Sequence, residues 1–174
     1  MRFEASACIL LGVAALAIAG CSPAPAPRPA GGREALVEHG KYLVTVMDCG
    51  GCHSTGVFTN QMKPETYLAG SDEGFDLPGL GVFYPPNLTP DPTGLAAWTE
   101  PQIVTALRTG ARPDGRVLAP IMPWRAFANL TDEDAAAIAA YLKSLKPVAH
   151  KVSGPASVET APTPYLTLKD PRKG

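Results

Sequence analysis

Charge of one sign, aromatic side chains and long apolar runs are all scarce in this chain. Fifteen Lys+Arg face 16 Asp+Glu, a net charge of −1. A nucleic-acid binder normally carries a concentrated basic excess, so that class is excluded. Aromatics make up only 7% of the residues, which points to a core packed around something other than aromatic rings. No Gly-x-Y period and no internal repeat is present, excluding collagen and solenoids. The 19 Pro and 17 Gly are too many for an uninterrupted helical bundle. The longest apolar stretch, Ala7 to Gly20, is shorter than the ~20 residues that span a bilayer comfortably. What remains is 174 residues, enough for one small domain with appendages.

That apolar stretch follows Arg2 and ends in small residues, the layout of a secretory signal over residues 1–20, although Glu4 interrupts the positive region. Cys21, preceded by Ile18-Ala19-Gly20, resembles the lipobox of bacterial lipoproteins. The resemblance implies cleavage before Cys21, lipidation of that residue and a membrane anchor; with Ser22 next, outer-membrane sorting stays open. The competing reading is a soluble secreted protein cut at another small residue. In Ser22 to Gly32, Pro alternates with small residues. Such a stretch favours extended polyproline II and reads, with Cys21, as a tether over 21–32.

From Arg33 the pattern is helical. Leu36, Gly40, Leu43 and Met47 share one face of a helix running towards Cys49. Gly40 in mid-helix costs about 1 kcal/mol relative to Ala, which implies close approach of another backbone. A second helix is announced by Thr99 as cap, Pro101 in the first turn and Gln102 three residues after the cap, with Ile103, Ala106 and Leu107 facing inward and Gly110 ending it. A third begins at Thr131, carries Asp132, Glu133 and Asp134 at the positive end of its dipole, buries Ile138, Tyr141, Leu142 and Leu145, and is closed by Pro147. Ser54 to Ala97 has no long period of either kind, and a stretch of this length inside a small domain wraps something functional. After His150 the chain reads as an extended polar tail, 149–174.

Chemistry concentrates in Cys49-Gly50-Gly51-Cys52-His53. C-x-x-C-H is the attachment signature of c-type haem: two thiols one turn apart add across the two vinyl groups of a porphyrin, and the adjacent imidazole reaches the iron. Zinc wants a second Cys pair, which the sequence lacks. A thioredoxin-like redox pair wants a βαβ context, and a Cys49–Cys52 disulfide would close a tiny loop and stabilise little. Cysteine usage agrees with haem, since Cys8 lies in the signal, Cys21 takes lipid, and Cys49 and Cys52 take the porphyrin.

His53 is then the proximal iron ligand, and the sixth position decides function. Candidates are His39, His150, Met47, Met62 and Met122. Met47 and His39 sit on the helix that carries the motif. Met122 lies in Pro120-Ile121-Met122-Pro123, an extended loop stiffened by two prolines, and is favoured ahead of Met62 and His150. Trp98, before a helix cap, is the ring whose indole N–H best reaches a haem propionate; Trp124, Phe127, Phe83 and Tyr84 are further aromatics of this region. Arg108, Arg112, Arg116 and Arg125 face only Asp114 over 101–125, whereas Ser54 to Glu100 hold six acids against Lys63. The arginines are either a solvated face or a surface that neutralises propionates and steers an acidic partner.

With C-x-x-C-H closing the first helix, a later Pro-x-Met-Pro loop and a final helix carrying Tyr141, the chain from about Arg33 to Val148 resembles class I cytochromes c. More narrowly, Asn87-Leu88-Thr89-Pro90-Asp91-Pro92, Thr93-Gly94, Trp98, Arg108-Thr109-Gly110, Arg112-Pro113-Asp114-Gly115-Arg116 and Pro120-Ile121-Met122-Pro123-Trp124 are similar to the cytochrome subunits of bacterial membrane-associated dehydrogenases. The resemblance implies an all-α cytochrome c fold over 33–148: about three main helices and long loops around one covalent haem c, the first and last helices crossing at Gly40 near Tyr141. It implies a periplasmic electron carrier, itself no enzyme, between a dehydrogenase donor and a respiratory acceptor. A single C-x-x-C-H departs from the multihaem members. The rival reading is a haem enzyme or gas sensor in which Met122 leaves readily.

Overall fold

The computed structural model describes residues 31–162 and 164–167. The expected signal, Cys21 and most of the tether lie outside the described residues. Four helices and three short strands are present: α1 (Gly32–Val46), β1 (Gly74–Leu77), β2 (Gly81–Phe83), α2 (Glu100–Thr109), α3 (Trp124–Phe127), α4 (Asp132–Ser144) and β3 (Tyr165–Thr167). Among the described residues, no helix is long and apolar enough to cross a membrane.

The three long helices form where their local signals place them. On α1, Gly40 and Val44 are buried, with Leu43 and Met47 packed against the core beside them. At α2 the Thr99 hydroxyl accepts from the Gln102 amide while the Gln102 side chain accepts from the Thr99 amide, a complete capping box. Gly110, at φ 75°, ends the helix in the left-handed conformation. Thr131 caps α4 through the Asp134 amide, and Leu145 turns extended, two residues before Pro147.

The last helix is buried beyond its expected stripe. Ala135, Ala137, Ala139 and Ala140 have no exposure, because α4 packs against both α1 and α2. Gly40 is the contact point. A Cβ built there would lie 1.9 Å from the Ala137 carbonyl oxygen and 2.8 Å from Tyr141 Cβ. Around this crossing lies one core of Val44, Leu68, Leu95, Ile103, Leu107, Ile138, Ala139 and Leu142.

The all-α expectation needs correction, since a three-stranded sheet, ordered β2-β1-β3, interrupts the long loop. β1 and β2 form an antiparallel hairpin, Phe75 opposite Phe83, and β3 joins β1 in parallel. The turn runs through Pro78 and Gly79, with Gly79 at φ 78° and the Leu80 amide donating to the Leu77 carbonyl, the chemistry of a type II turn. The tail supplies the rest: Ala156 bridges Val82, and the Tyr84 hydroxyl donates to the Pro162 carbonyl. Strands of three or four residues carry too little periodicity to read, and β3 pairs with a segment some ninety residues earlier in the chain.

Candidate haem-attachment site

The C-x-x-C-H segment folds as one tight turn at the end of α1. Asp48 adopts a left-handed φ of 53°, which breaks the helix, and Cys49–Gly51 form a single 3₁₀ turn. The Cys49 carbonyl then accepts from the His53 amide at 2.9 Å and the Cys52 amide at 3.4 Å. Both glycines face neighbouring side chains closely. A Cβ on Gly50 would sit 2.4 Å from Cε2 of Tyr67, and one on Gly51 would sit 2.2 Å from a carboxylate oxygen of Asp48.

His53 is buried, and its Nδ1 lies 2.8 Å from the Pro86 carbonyl oxygen. A carbonyl only accepts, so Nδ1 carries the proton and Nε2 keeps its lone pair. Burial lowers the imidazole's pKa, the Pro86 bond offsetting part of the effect, and the ring stays neutral, the form that ligates a metal. Three loop crossings hold this arrangement: the Gly70 amide donates to the His53 carbonyl, the Leu88 amide to the Leu68 carbonyl and the Ser71 amide to the Pro85 carbonyl. Leu68, fully buried, accepts a left-handed φ of 60°, its amide satisfied by the Ser54 hydroxyl at 3.0 Å.

The Pro86 carbonyl is itself locked by its neighbour. Asn87 is fully buried and donates to Thr93 Oγ1 at 3.0 Å and the Val148 carbonyl at 2.8 Å. Its Oδ1 accepts from the Thr89 amide and hydroxyl, both at 2.8 Å. This knot ties the exit of α4 to the loop that meets His53. Neither Pro86 nor Asn87 stood out as a site residue in the sequence; the Pro85-Pro86 pair, which fixes an extended backbone, was the available signal.

Cys49 and Cys52 form no disulfide with one another. Burial, with Asp48 alongside, pushes Cys49 up to about 11, and burial raises Cys52 as well. A redox-active pair needs the opposite shift. Among the described residues no three His, Cys, Asp or Glu side chains form a metal-holding group, so the donor set of a structural zinc site is not assembled.

Met122 sits in a turn rather than an extended loop, its amide donating to the Ala119 carbonyl at 3.0 Å. Pro120 presets that turn, and the half-buried Met122 packs against the same core as Cys49 and Trp98. The other candidate ligands are placed differently. Met62 is 50% exposed. The His39 ring engages Asp134 on α4, and the His150 ring lies between the Ala69 carbonyl and Asp72. Met47 packs on the core from α1.

Trp98 carries the Arg112 guanidinium 5.4 Å from its ring centroid, and Trp124 carries that of Arg125 at 4.4 Å. Arg112 and Arg116 also share Asp114, whose carboxyl they hold far below the usual range, and Arg108 pairs with Asp132. Phe127 packs on the core, whereas Phe83 lies in β2 and Tyr84 directly follows it beside the tail.

The sequence profile of the cytochrome c family matches residues 37–146. Relatives include the fructose dehydrogenase cytochrome subunit of Gluconobacter japonicus, 37% identical over 70% of this chain and 24% of its own length. The cytochrome c subunit of the quinone alcohol dehydrogenase of Gluconobacter oxydans is 35% identical over 70% of this chain and 24% of its own. The gluconate 2-dehydrogenase cytochrome c subunit of Pantoea cypripedii is 35% identical over 67% and 25%. The matched part of this chain thus spans about a quarter of the length of these relatives. With a family match spanning α1 to α4 and the C-x-x-C-H turn at its start, the chain belongs to the cytochrome c family, whose members carry covalently bound haem c.

Proposed function

We propose that this chain is a one-electron carrier bearing a single haem c, attached through Cys49 and Cys52 and held at the iron by His53 and Met122. The observation that carries the reading is the His53 ring, sequence-adjacent to Cys52, with Nδ1 committed to the Pro86 carbonyl and Nε2 free to ligate. Other groups of the chain fit a haem as well. Gly50 and Gly51 keep the attachment turn free of side chains, and the buried Trp124 Nε1 has no protein partner. Haem c, when bound, supplies an Fe(III)/Fe(II) couple. The chain's part is to keep a neutral imidazole and a thioether in place in both oxidation states, a pairing that raises the reduction potential. Trp98 with Arg112 suits a propionate. No nucleophile or proton-transfer group is required, so catalysis belongs to a partner.

Similarity to cytochrome subunits of dehydrogenases supports a dehydrogenase as electron donor, with a respiratory acceptor downstream. The signal-like residues 1–20 and Cys21 support a lipid anchor on the periplasmic side of a bacterial membrane. Mass spectrometry of the mature N-terminus tests the anchor: a Cys21 carrying lipid on its sulfur and on its amino group is expected, and an unmodified terminus elsewhere refutes it.

Visible spectra of the protein matured with a haem c system test the carrier reading. A low-spin, six-coordinate reduced spectrum that CO leaves unchanged is the expected result. A rapid CO-induced shift would overturn it in favour of a haem enzyme or gas sensor with a labile sixth ligand.

A further inference from the structure

His53 is held at two points, and one short stretch of the tail grips both. The first is its ring: Nδ1 donates to the Pro86 carbonyl, and Asn87, next in the chain, donates to the Val148 carbonyl at 2.8 Å and the His150 carbonyl at 3.4 Å. The His150 amide returns a bond to Thr93 Oγ1 at 3.1 Å within the same knot. The second point is the His53 carbonyl, which accepts from the Gly70 amide at 2.9 Å. That amide belongs to the peptide group whose carbonyl is that of Ala69, and the Ala69 oxygen lies 2.9 Å from His150 Nδ1. A single peptide group therefore links the His150 ring to the backbone of His53. Gly70 keeps the approach close: it sits at φ 93°, and a Cβ there would lie 2.5 Å from Val152 Cγ2 and 2.8 Å from the Asn87 amide nitrogen. The stretch from Val148 to Val152 lies past the residues that match the cytochrome c profile.

The chemistry of the His150 ring gives this link a charge. Nδ1 faces a carbonyl, and Nε2 lies 3.1 Å from the Asp72 carboxylate. Both partners only accept, so both ring nitrogens must donate, and only the imidazolium carries two N–H groups. Its other charged neighbours are Asp91, one bond away through Thr93, and Lys151, next in the chain. A cation's N–H makes a stronger hydrogen bond than a neutral one. A peptide group that accepts strongly at its carbonyl also donates more strongly from its amide. Loss of the proton leaves a lone pair opposite a carboxylate and weakens the whole chain of bonds.

We propose that His150, as the imidazolium paired with Asp72, is a positioning residue for His53, acting through the Ala69–Gly70 peptide group on the backbone of the proximal ligand. Histidine changes charge between about pH 5 and 8, so electron transfer at this haem carries a proton dependence set in the tail. The positive ring favours the reduced iron, and by reciprocity reduction favours the protonated ring. The inference rests on His53 being the iron ligand and adds the group that regulates its setting.

The test uses the haem-bearing full-length protein and His150→Gln, which keeps a donor without the charge. In the oxidised form the hyperfine-shifted His53 ring protons should move with pH in step with the His150 ring protons, and in His150→Gln that movement should vanish. Deuterium exchange at the Gly70 amide, corrected for its intrinsic pH dependence, should speed up about ten-fold from pH 5 to pH 8 in the wild type and stay level in the variant. The potential–pH curve of His150→Gln should lose a step that His39→Gln keeps, since the His39 ring serves Asp134 instead. His53 signals and a potential curve that His150→Gln leaves unchanged would overturn the proposal, as would a variant that loses stability alone. Asp72→Ala alters a side chain that is 60% exposed, so it probes the same link with little burden on the fold. Gly70 exchange at pH 5 should then rise about three-fold, and unchanged exchange would overturn the pairing. A wild-type chain that acquires no covalent haem refutes the ligand reading of His53 itself. A haem-bearing chain whose His53 signals ignore His150→Gln refutes only the positioning role.

Discussion

Replacing Gly40 by alanine puts a methyl group into the closest backbone contact of the fold. The new carbon would stand 1.9 Å from the Ala137 oxygen, 2.5 Å from the Ala137 carbonyl carbon and 2.8 Å from Tyr141 Cβ. Two of those atoms are backbone in the middle of α4, so no rotamer change relieves the clash. Ordinary contact begins near 3.4 Å, and α1 and α4 must part by about 1.5 Å, enough to forfeit much of the dispersion energy along the seam. That seam is lined by Val44, Ala137, Ile138, Ala139 and Ala140, none more than 1% exposed. Overpacking against backbone falls at the upper end of its usual range, about 3 kcal/mol. The better helix propensity of alanine returns about 1 kcal/mol. The net loss is about 2 kcal/mol, a roughly 30-fold rise in the unfolding constant. Urea or guanidinium unfolding of the haem-bearing protein, followed by circular dichroism with a common m-value, measures it. Gly154, where a Cβ meets nothing within 4 Å, is the control, and Gly154→Ala should stay within about 0.5 kcal/mol of wild type. A Gly40→Ala protein more stable than wild type would refute the reasoning, because propensity alone would then decide the outcome.

Asn87→Ala should destabilise by about 3 kcal/mol in the same unfolding assay, because it strips partners from Thr89, Thr93 and the Val148 carbonyl inside the core; a loss under about 1 kcal/mol would mean the knot is dispensable. Asp134 is held below its ordinary pKa by the His39 hydrogen bond first and by Thr131 next. Its stabilisation is therefore present above the unfolded-state pKa and lost as pH falls through the lower folded value. Asp134→Asn should cost stability at pH 7 and nothing near pH 2, with a modest effect because 28% of the side chain is in contact with water. Urea midpoints across that pH range check it, and a difference independent of pH would contradict the assigned role.

What could be read from the sequence was what residues a few positions apart decide. Thr99 with Gln102, Thr131 with Asp134, and Gly110 are local signals, and the helices start or stop on them. The Cys49 to His53 turn is local too. The sheet escaped because β1 depends on a strand from the tail, although Pro78-Gly79 did advertise its hairpin. The partner of His53 escaped for the same reason: Pro86 comes to it through three crossings of the loops around residues 53–55, 66–71 and 85–89, and no pattern within the C-x-x-C-H segment encodes that. The arginines resisted reading because pairing to Asp114 or Asp132 is a matter of tertiary geometry. Trp124, mentioned only among the aromatics near Met122, owes its interest to an unpaired nitrogen, which composition cannot reveal.

The Gly40 crossing also sets an order of events. Its two halves lie about 100 residues apart in the chain, and a chain emerging N-terminus first at roughly 5–20 residues per second exposes the C-x-x-C-H segment some 5–20 seconds before α4 can arrive to clamp α1. Until α4 is made, the buried face of α1 has no partner across Gly40, so this seam cannot hold the early part of the chain together while synthesis continues.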